Sequence, residues 1–96
     1  MDNSELARWR GLDAHVALCA LADYAKKDPT FVPSSNLAST RWHASVAGRD
    51  FELVCTGSKF FDTRAASGGG GAVDLAKHLF AVSFKAAVGL LRLKGL

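Results

Sequence analysis

Between residues 41 and 64 apolar and polar side chains alternate through three short segments, and an unbroken run of glycines, Gly68 to Gly71, follows soon after. A period of two sends successive side chains to opposite faces of an extended chain, so this stretch must lie in a sheet with one face on a core. In the first segment Trp42, Ala44 and Val46 alternate with Arg41, His43 and Ser45. Ala47-Gly48-Arg49-Asp50 reads as a turn, after which Phe51, Leu53 and Cys55 alternate with Glu52 and Val54 as the second strand of a hairpin. Thr56-Gly57-Ser58 turns again into residues 59–64, where Phe61 and Thr63 fall on one side and Phe60, Asp62 and Arg64 on the other. Residues 65–71 are expected to turn rather than continue a strand, because glycines have no side chain to bury and are costly to order.

On either side the pattern is helical. Ser4 is placed to cap an N-terminal helix whose apolar positions Leu6, Trp9, Leu12, Val16, Cys19 and Ala20 share one face. Gly11 and Asp13 leave open whether this is one bent helix or two short ones. Lys26 and Lys27 suit a helix C-terminus, which Asp28-Pro29 would end. Residues 30–40, with Pro33, two serines and Asn36, read as a connecting loop. After the glycines, Val73, Ala76, Leu79 and Phe80 form one helix face, and Ser83 caps a last helix carrying Phe84, Ala87, Val88 and Leu91. The expected fold class is α+β: an N-terminal helix or two, a three-stranded antiparallel sheet and two C-terminal helices. A chain of 96 residues, 49% hydrophobic, is expected to form a single domain, with helical segment 1–28, sheet 41–64 and C-terminal helices 72–94.

Charge is distributed unevenly. Residues 1–40 carry four Lys/Arg against five Asp/Glu, whereas residues 41–96 carry eight against four, which fits a polyanion surface on the sheet and the last helices. The longest apolar-rich run, residues 15–25, is interrupted by Asp23 and is shorter than the ~20 residues a membrane span needs, so no membrane association is expected. The first five residues lack the basic and apolar segments of a secretory signal, and a cytoplasmic protein is expected. In that compartment Cys19 and Cys55 read as buried free thiols.

No Ser-His-acid, Cys-His or paired-carboxylate set has a spacing that points to catalysis, and a non-enzyme without cofactors is expected. His15 and His78 fall in helical patterns and need no function. Arg41, His43, Arg49, Lys59, Phe60 and Arg64 combine cations with aromatic surface, the chemistry that holds phosphates and stacks bases of a single strand. By alternation Arg41 and His43 share a side, as do Phe60 and Arg64; whether the two sets share a face depends on register. The glycine run entering a helix offers backbone N–H groups to a phosphate, but it lacks a P-loop's Gly-Lys-Ser/Thr ending and is read first as a flexible connection.

Strand, hairpin, glycine-rich loop, short helix and a helix opened by Ser-Phe: this order resembles the zinc-ribbon domain at the N-terminus of bacterial replicative primases. It also resembles related modules in primase-like proteins of plasmids and mobile elements. Gly69-Gly70-Gly71-Ala72-Val73-Asp74-Leu75 is similar to the family's Gly-Gly-Asp-Ala-Ile helix start, and Ser83-Phe84-Lys85-Ala86-Ala87-Val88 to its Ser-Phe-x-Glu-Ala-Val segment. Val32-Pro33-Ser34-Ser35 stands where the family has Cys-Pro-x-His. The four ligand positions of the resemblance fall on Val32, Ser35, Thr63 and Ala66, none a structural zinc ligand, so no metal is expected and the N-terminal helix must stabilise the sheet by packing on it. The resemblance implies a non-catalytic module that binds single-stranded DNA beside a primase or helicase in plasmid or mobile-element replication. The alternatives are an adaptor that docks a replication enzyme without touching DNA, and a fragment of a larger primase-like enzyme.

Overall fold

The computed structural model describes residues 3–96. Its elements run α1 (Asn3–Gly11), α2 (Ala14–Leu21), β1 (Tyr24–Lys27), β2 (Thr40–Val46), β3 (Arg49–Thr56), β4 (Lys59–Asp62), β5 (Ser67–Gly70), α3 (Ala72–Phe80) and α4 (Phe84–Leu93). The strands form one antiparallel sheet in the order β1-β2-β3-β4-β5, so the three-stranded expectation is corrected to five.

Both added strands come from segments read otherwise in the sequence. Ala22, at φ −77° and ψ 151°, ends α2, and the chain then runs extended, with Tyr24 opposite Ser45 and Lys27 opposite Trp42. Lys26 and Lys27 therefore sit on an edge strand, where lysines block pairing with foreign strands, instead of at a helix end. The glycines Gly68 to Gly70 continue the sheet by pairing with β4, and at the first two of them nothing larger fits. A Cβ on Gly68 would lie 2.5 Å from the Phe60 carbonyl oxygen, and one on Gly69 would press on the Phe60 ring and Asp74 at 3.1 and 3.2 Å. The actual turn is residues 63–66, with Ala66 at φ 53°. Of the four consecutive glycines, Gly71, at φ 88°, is the one that needs glycine's conformational freedom, where the chain bends from β5 into α3.

The hairpin turn between β2 and β3 is shorter than expected. Ala47 and Gly48 both take positive φ, 51° and 79°, the two-residue turn that matches strand twist, so Arg49 and Asp50 already belong to β3. Register places Ala44, Val46, Phe51, Leu53, Cys55, Phe60 and Asp62 on one face, and all are buried.

The helices cover that face. α2 packs across β1, β2 and β3, α3 beside β5, and α1 and α4 on α3. The N-terminal region is two helices, and the break resets the helical phase. The buried stripe of α2 is Ala14, Ala17, Leu18 and Leu21, whereas Val16 and Cys19, expected inside, are exposed. Ser4 lies within α1 rather than at its cap, while Ser83 accepts a hydrogen bond from the Ala86 N–H at 3.2 Å and caps α4. Leu18, Leu53, Leu75, Leu79 and Leu91 are fully buried, each contributing about 1.5–3 kcal/mol of burial free energy. Among the described residues no helix is long and apolar enough to cross a membrane.

A candidate nucleic-acid interface on the helix-free face

The opposite face of the sheet carries no helix, and its side chains can be placed row by row from the strand register. Thr56 faces Lys59, which faces Gly70. In the next row Arg41 faces Val54, Val54 faces Phe61 and Phe61 faces Gly68. A further row sets Lys26 against His43 and His43 against Glu52, and the last sets Tyr24 against Ser45 and Ser45 against Asp50. Thr63 extends the third row, its N–H donating to the Glu52 carbonyl at 3.1 Å and its hydroxyl to the Glu52 carboxylate.

Arg41 and His43 are on this face but already engaged. Arg41 donates from Nη2 and Nε to Asp28 Oδ2 at 2.7 and 3.0 Å, and His43 Nε2 donates to the same oxygen at 3.1 Å. Glu52 Oε1 lies 3.9 Å from both side chains. The Asp28 carboxyl is held below the usual carboxylate range by the Thr30 hydroxyl, His43, the Thr30 N–H and Arg41. These bonds pin the loop of residues 28–39 to the sheet, where Phe31 lies 5.1 Å from the Arg41 guanidinium.

Lys59 and Arg64 differ from that pair. Among the described residues neither has a carboxylate within ion-pair distance. Lys59 flanks Phe61 on β4, and Arg64 borders a shallow depression with Tyr24, His43, Ser45 and Asp50. Strand alternation put Arg64 on the side of Phe60, but β4 stops at Asp62 and the turn redirects it. Arg49 and Phe60 do not join the site. Phe60 is buried under the helices, and Arg49 lies on the same covered side, its guanidinium 5.1 Å from the Phe51 ring.

Phe61 is the aromatic that sequence reasoning passed over as a contact. Phe61 is 47% exposed and its Cδ1 would lie 3.2 Å from a Cβ on Gly68, so the ring covers part of the bare edge strand while much of the side chain stays open to solvent. Tyr24, on β1 where the sequence pattern predicts helix, is 58% exposed. The available signal was the Phe60-Phe61 pair itself, since adjacent strand residues must take opposite faces. Only register shows which of the two is outside.

Of the four ligand positions of the resemblance, Val32 is exposed, Thr63 bonds Glu52 and Ala66 lies in the 63–66 turn. Asp62 accepts the N–H groups of Arg64 and Ala65, both at 3.0 Å, and so holds the 63–66 turn with a carboxylate. His15 stacks on Trp42 with ring centroids 5.7 Å apart, and His78 reaches Asp62. Among the described residues no three His, Cys, Asp or Glu side chains converge as a metal site would require. No protein-family model, curated protein or solved structure matches the chain, so nothing beyond its own residues links it to the primase ribbons.

Proposed function

We propose that this protein is a non-catalytic module that binds single-stranded DNA on the helix-free face of its sheet. One observation carries the reading: the half-exposed Phe61 ring stands beside the unpaired Lys59 on a face that no helix covers. Stacking on a π face and neutralising the next phosphate are the two contacts a single strand needs. Arg64, Lys26 and Tyr24 continue the same chemistry toward β1. On this reading it works in the cytoplasm beside a primase or helicase of plasmid or mobile-element replication, a role supported only by the likeness of its residues 69–75 and 83–88 to primase segments.

The test is fluorescence anisotropy of labelled single-stranded and duplex DNA over a salt series. Charge-led binding weakens steeply as salt rises, and Lys59→Ala and Arg64→Ala each flatten that slope while Arg49→Ala leaves it unchanged. Absence of binding at low salt overturns the reading.

A second reading, an adaptor that docks a replication enzyme without DNA, is favoured by a different observation. Asp28 pairs with Arg41 and bonds His43, which engages both on this face, and the adjoining loop exposes Val32 and Leu37 at 82% and 90%. Retention of that enzyme by the DNA-silent protein, lost in Leu37→Asp, distinguishes the two.

A further inference from the structure

The outer face of α4 carries a hole that the packing of the fold does not use. Lys85, Val88, Gly89 and Arg92 line an open groove of about 500 Å³, with Phe84 at its end. Those four positions are i, i+3, i+4 and i+7, the set that forms the hole for one knob when two helices pack. Gly89 makes the hole deep. It is exposed in the middle of α4, and a Cβ there would meet nothing within 4 Å, so the fold itself has no need of glycine. Apart from proline, glycine is the residue least suited to a helix interior, and what it offers here is close approach by a neighbour. Phe84 and Leu93, 45% and 78% exposed, lie at opposite ends of α4 and add apolar surface on either side of the hole.

Charge around the hole selects the neighbour. Residues 75–96 carry Lys77, Lys85, Arg92 and Lys94 and no Asp or Glu. Lys85, one turn before Gly89, has no carboxylate within ion-pair distance among the described residues. Arg92, just under a turn after it, pairs with Glu5 at 2.7 Å and still has about half of its side chain exposed. A second copy of this chain is the wrong occupant. An antiparallel pair centred on Gly89 sets Lys85 near the second copy's Arg92, and a parallel pair sets each cation against its like. We infer that α4 docks an acidic amphipathic helix of a partner protein. A large apolar side chain of that helix seats over Gly89, and carboxylates one turn to either side of it meet Lys85 and Arg92. Because α4 packs on α3 in the helix layer, this surface is separate from the helix-free face of the sheet and serves its partner whether or not DNA binds there.

The probe is a labelled, stapled helical peptide of about three heptads, with a leucine stripe flanked by glutamates, and a twin carrying lysine for glutamate. On the full chain the glutamate peptide is expected to bind about tenfold or more tighter than its twin and to shift the backbone amide resonances of Lys85 and Gly89. Gly89→Leu fills the hole. A side chain there meets nothing, so the denaturation midpoint does not fall, while affinity for the glutamate peptide drops about tenfold or more. Lys85→Glu removes the preference for that peptide over its twin. Equal binding of the two peptides, no binding of either at about millimolar concentration, or a Gly89→Leu variant that binds as well as the unaltered protein overturns the inference. A dimer in sedimentation that Gly89→Leu dissociates overturns it in favour of a second copy, and binding to anionic vesicles that Gly89→Leu strengthens overturns it in favour of a membrane surface.

Discussion

His78 Nε2 on α3 lies 2.7 Å from Asp62 Oδ2 at the end of β4, joining the helix layer to the sheet inside the core. Asp62 is 4% exposed, and its second oxygen holds the 63–66 turn through two backbone N–H groups. Its burial pushes the carboxyl up, but the bonds from His78, Ala65 and Arg64 outweigh that and leave it below the usual carboxylate value. The His78 ring also meets Phe51 and Phe60 at 5.9 and 5.6 Å, so aromatic packing holds the donor in place. Asp62→Ala strands these donors and is expected to destabilise the fold by about 3 kcal/mol, measured by urea denaturation. A loss under about 1 kcal/mol would show that α3 is anchored by packing alone.

Acid should unfold the protein through Asp28 and Asp62. Both carboxyls are depressed in the folded state, Asp28 by Thr30, His43 and Arg41 and Asp62 by His78 and the turn, so each contributes stability that is present above the unfolded value of about 4. That stability is lost as pH falls from about 4 through the lower folded values. Thermal midpoints should therefore drop below about pH 4, and Asp28→Asn should lower the midpoint at neutral pH while making the acid drop shallower. An equally steep drop in the variant would remove Asp28 from the account.

The glycines should differ sharply in tolerance. Gly71→Ala places a side chain at φ 88° and is expected to cost about 1–3 kcal/mol. Gly68→Ala drives its Cβ against the Phe60 carbonyl and is expected to be worse tolerated than Gly70→Ala, whose nearest neighbour is Lys59 Cγ at 3.8 Å. Gly89→Ala, in α4 with nothing within 4 Å, should stabilise by about 0.5–1 kcal/mol. Denaturation midpoints of the four variants check the order.

The two thiols should react in sequence. Burial, with a smaller contribution from Cys19, pushes the Cys55 thiol up to about 12, whereas Cys19 is exposed. The thiolate is the reactive species, so alkylation of the native protein at neutral pH should give a single adduct at Cys19, seen by mass spectrometry. Rapid modification at both sites would mean that β3 opens readily.

Phe60 and Phe61 should separate stability from binding. Phe60→Leu removes buried ring atoms and should cost about 1–2 kcal/mol with DNA affinity unchanged. Phe61→Ala should lower the denaturation midpoint less than Phe60→Leu, by loss of its cover over Gly68, and weaken single-strand binding by about tenfold, from the loss of one stacking platform.

The sequence by itself determined the local terms. Alternation from Trp42 to Val46 and from Phe51 to Cys55 specifies the hairpin and its buried face, because a period of two admits no other arrangement against one core. Ser83 specifies the start of α4 through its own hydroxyl. Tertiary structure alone decided the rest, for reasons of partnership. Tyr24 to Lys27 is a strand only because β2 offers its free edge, and Ser67 to Gly70 is a strand because it pairs with β4, where crowding at Gly68 and Gly69 leaves no room for side chains. The same pairings decide the candidate site: β3–β4 register sets Phe61 beside Val54 and turns Phe60 inward, and the 63–66 turn sends Arg64 back over the open face. Which of two adjacent phenylalanines meets a ligand is a property of the strand opposite them, and one chain segment read alone does not contain it.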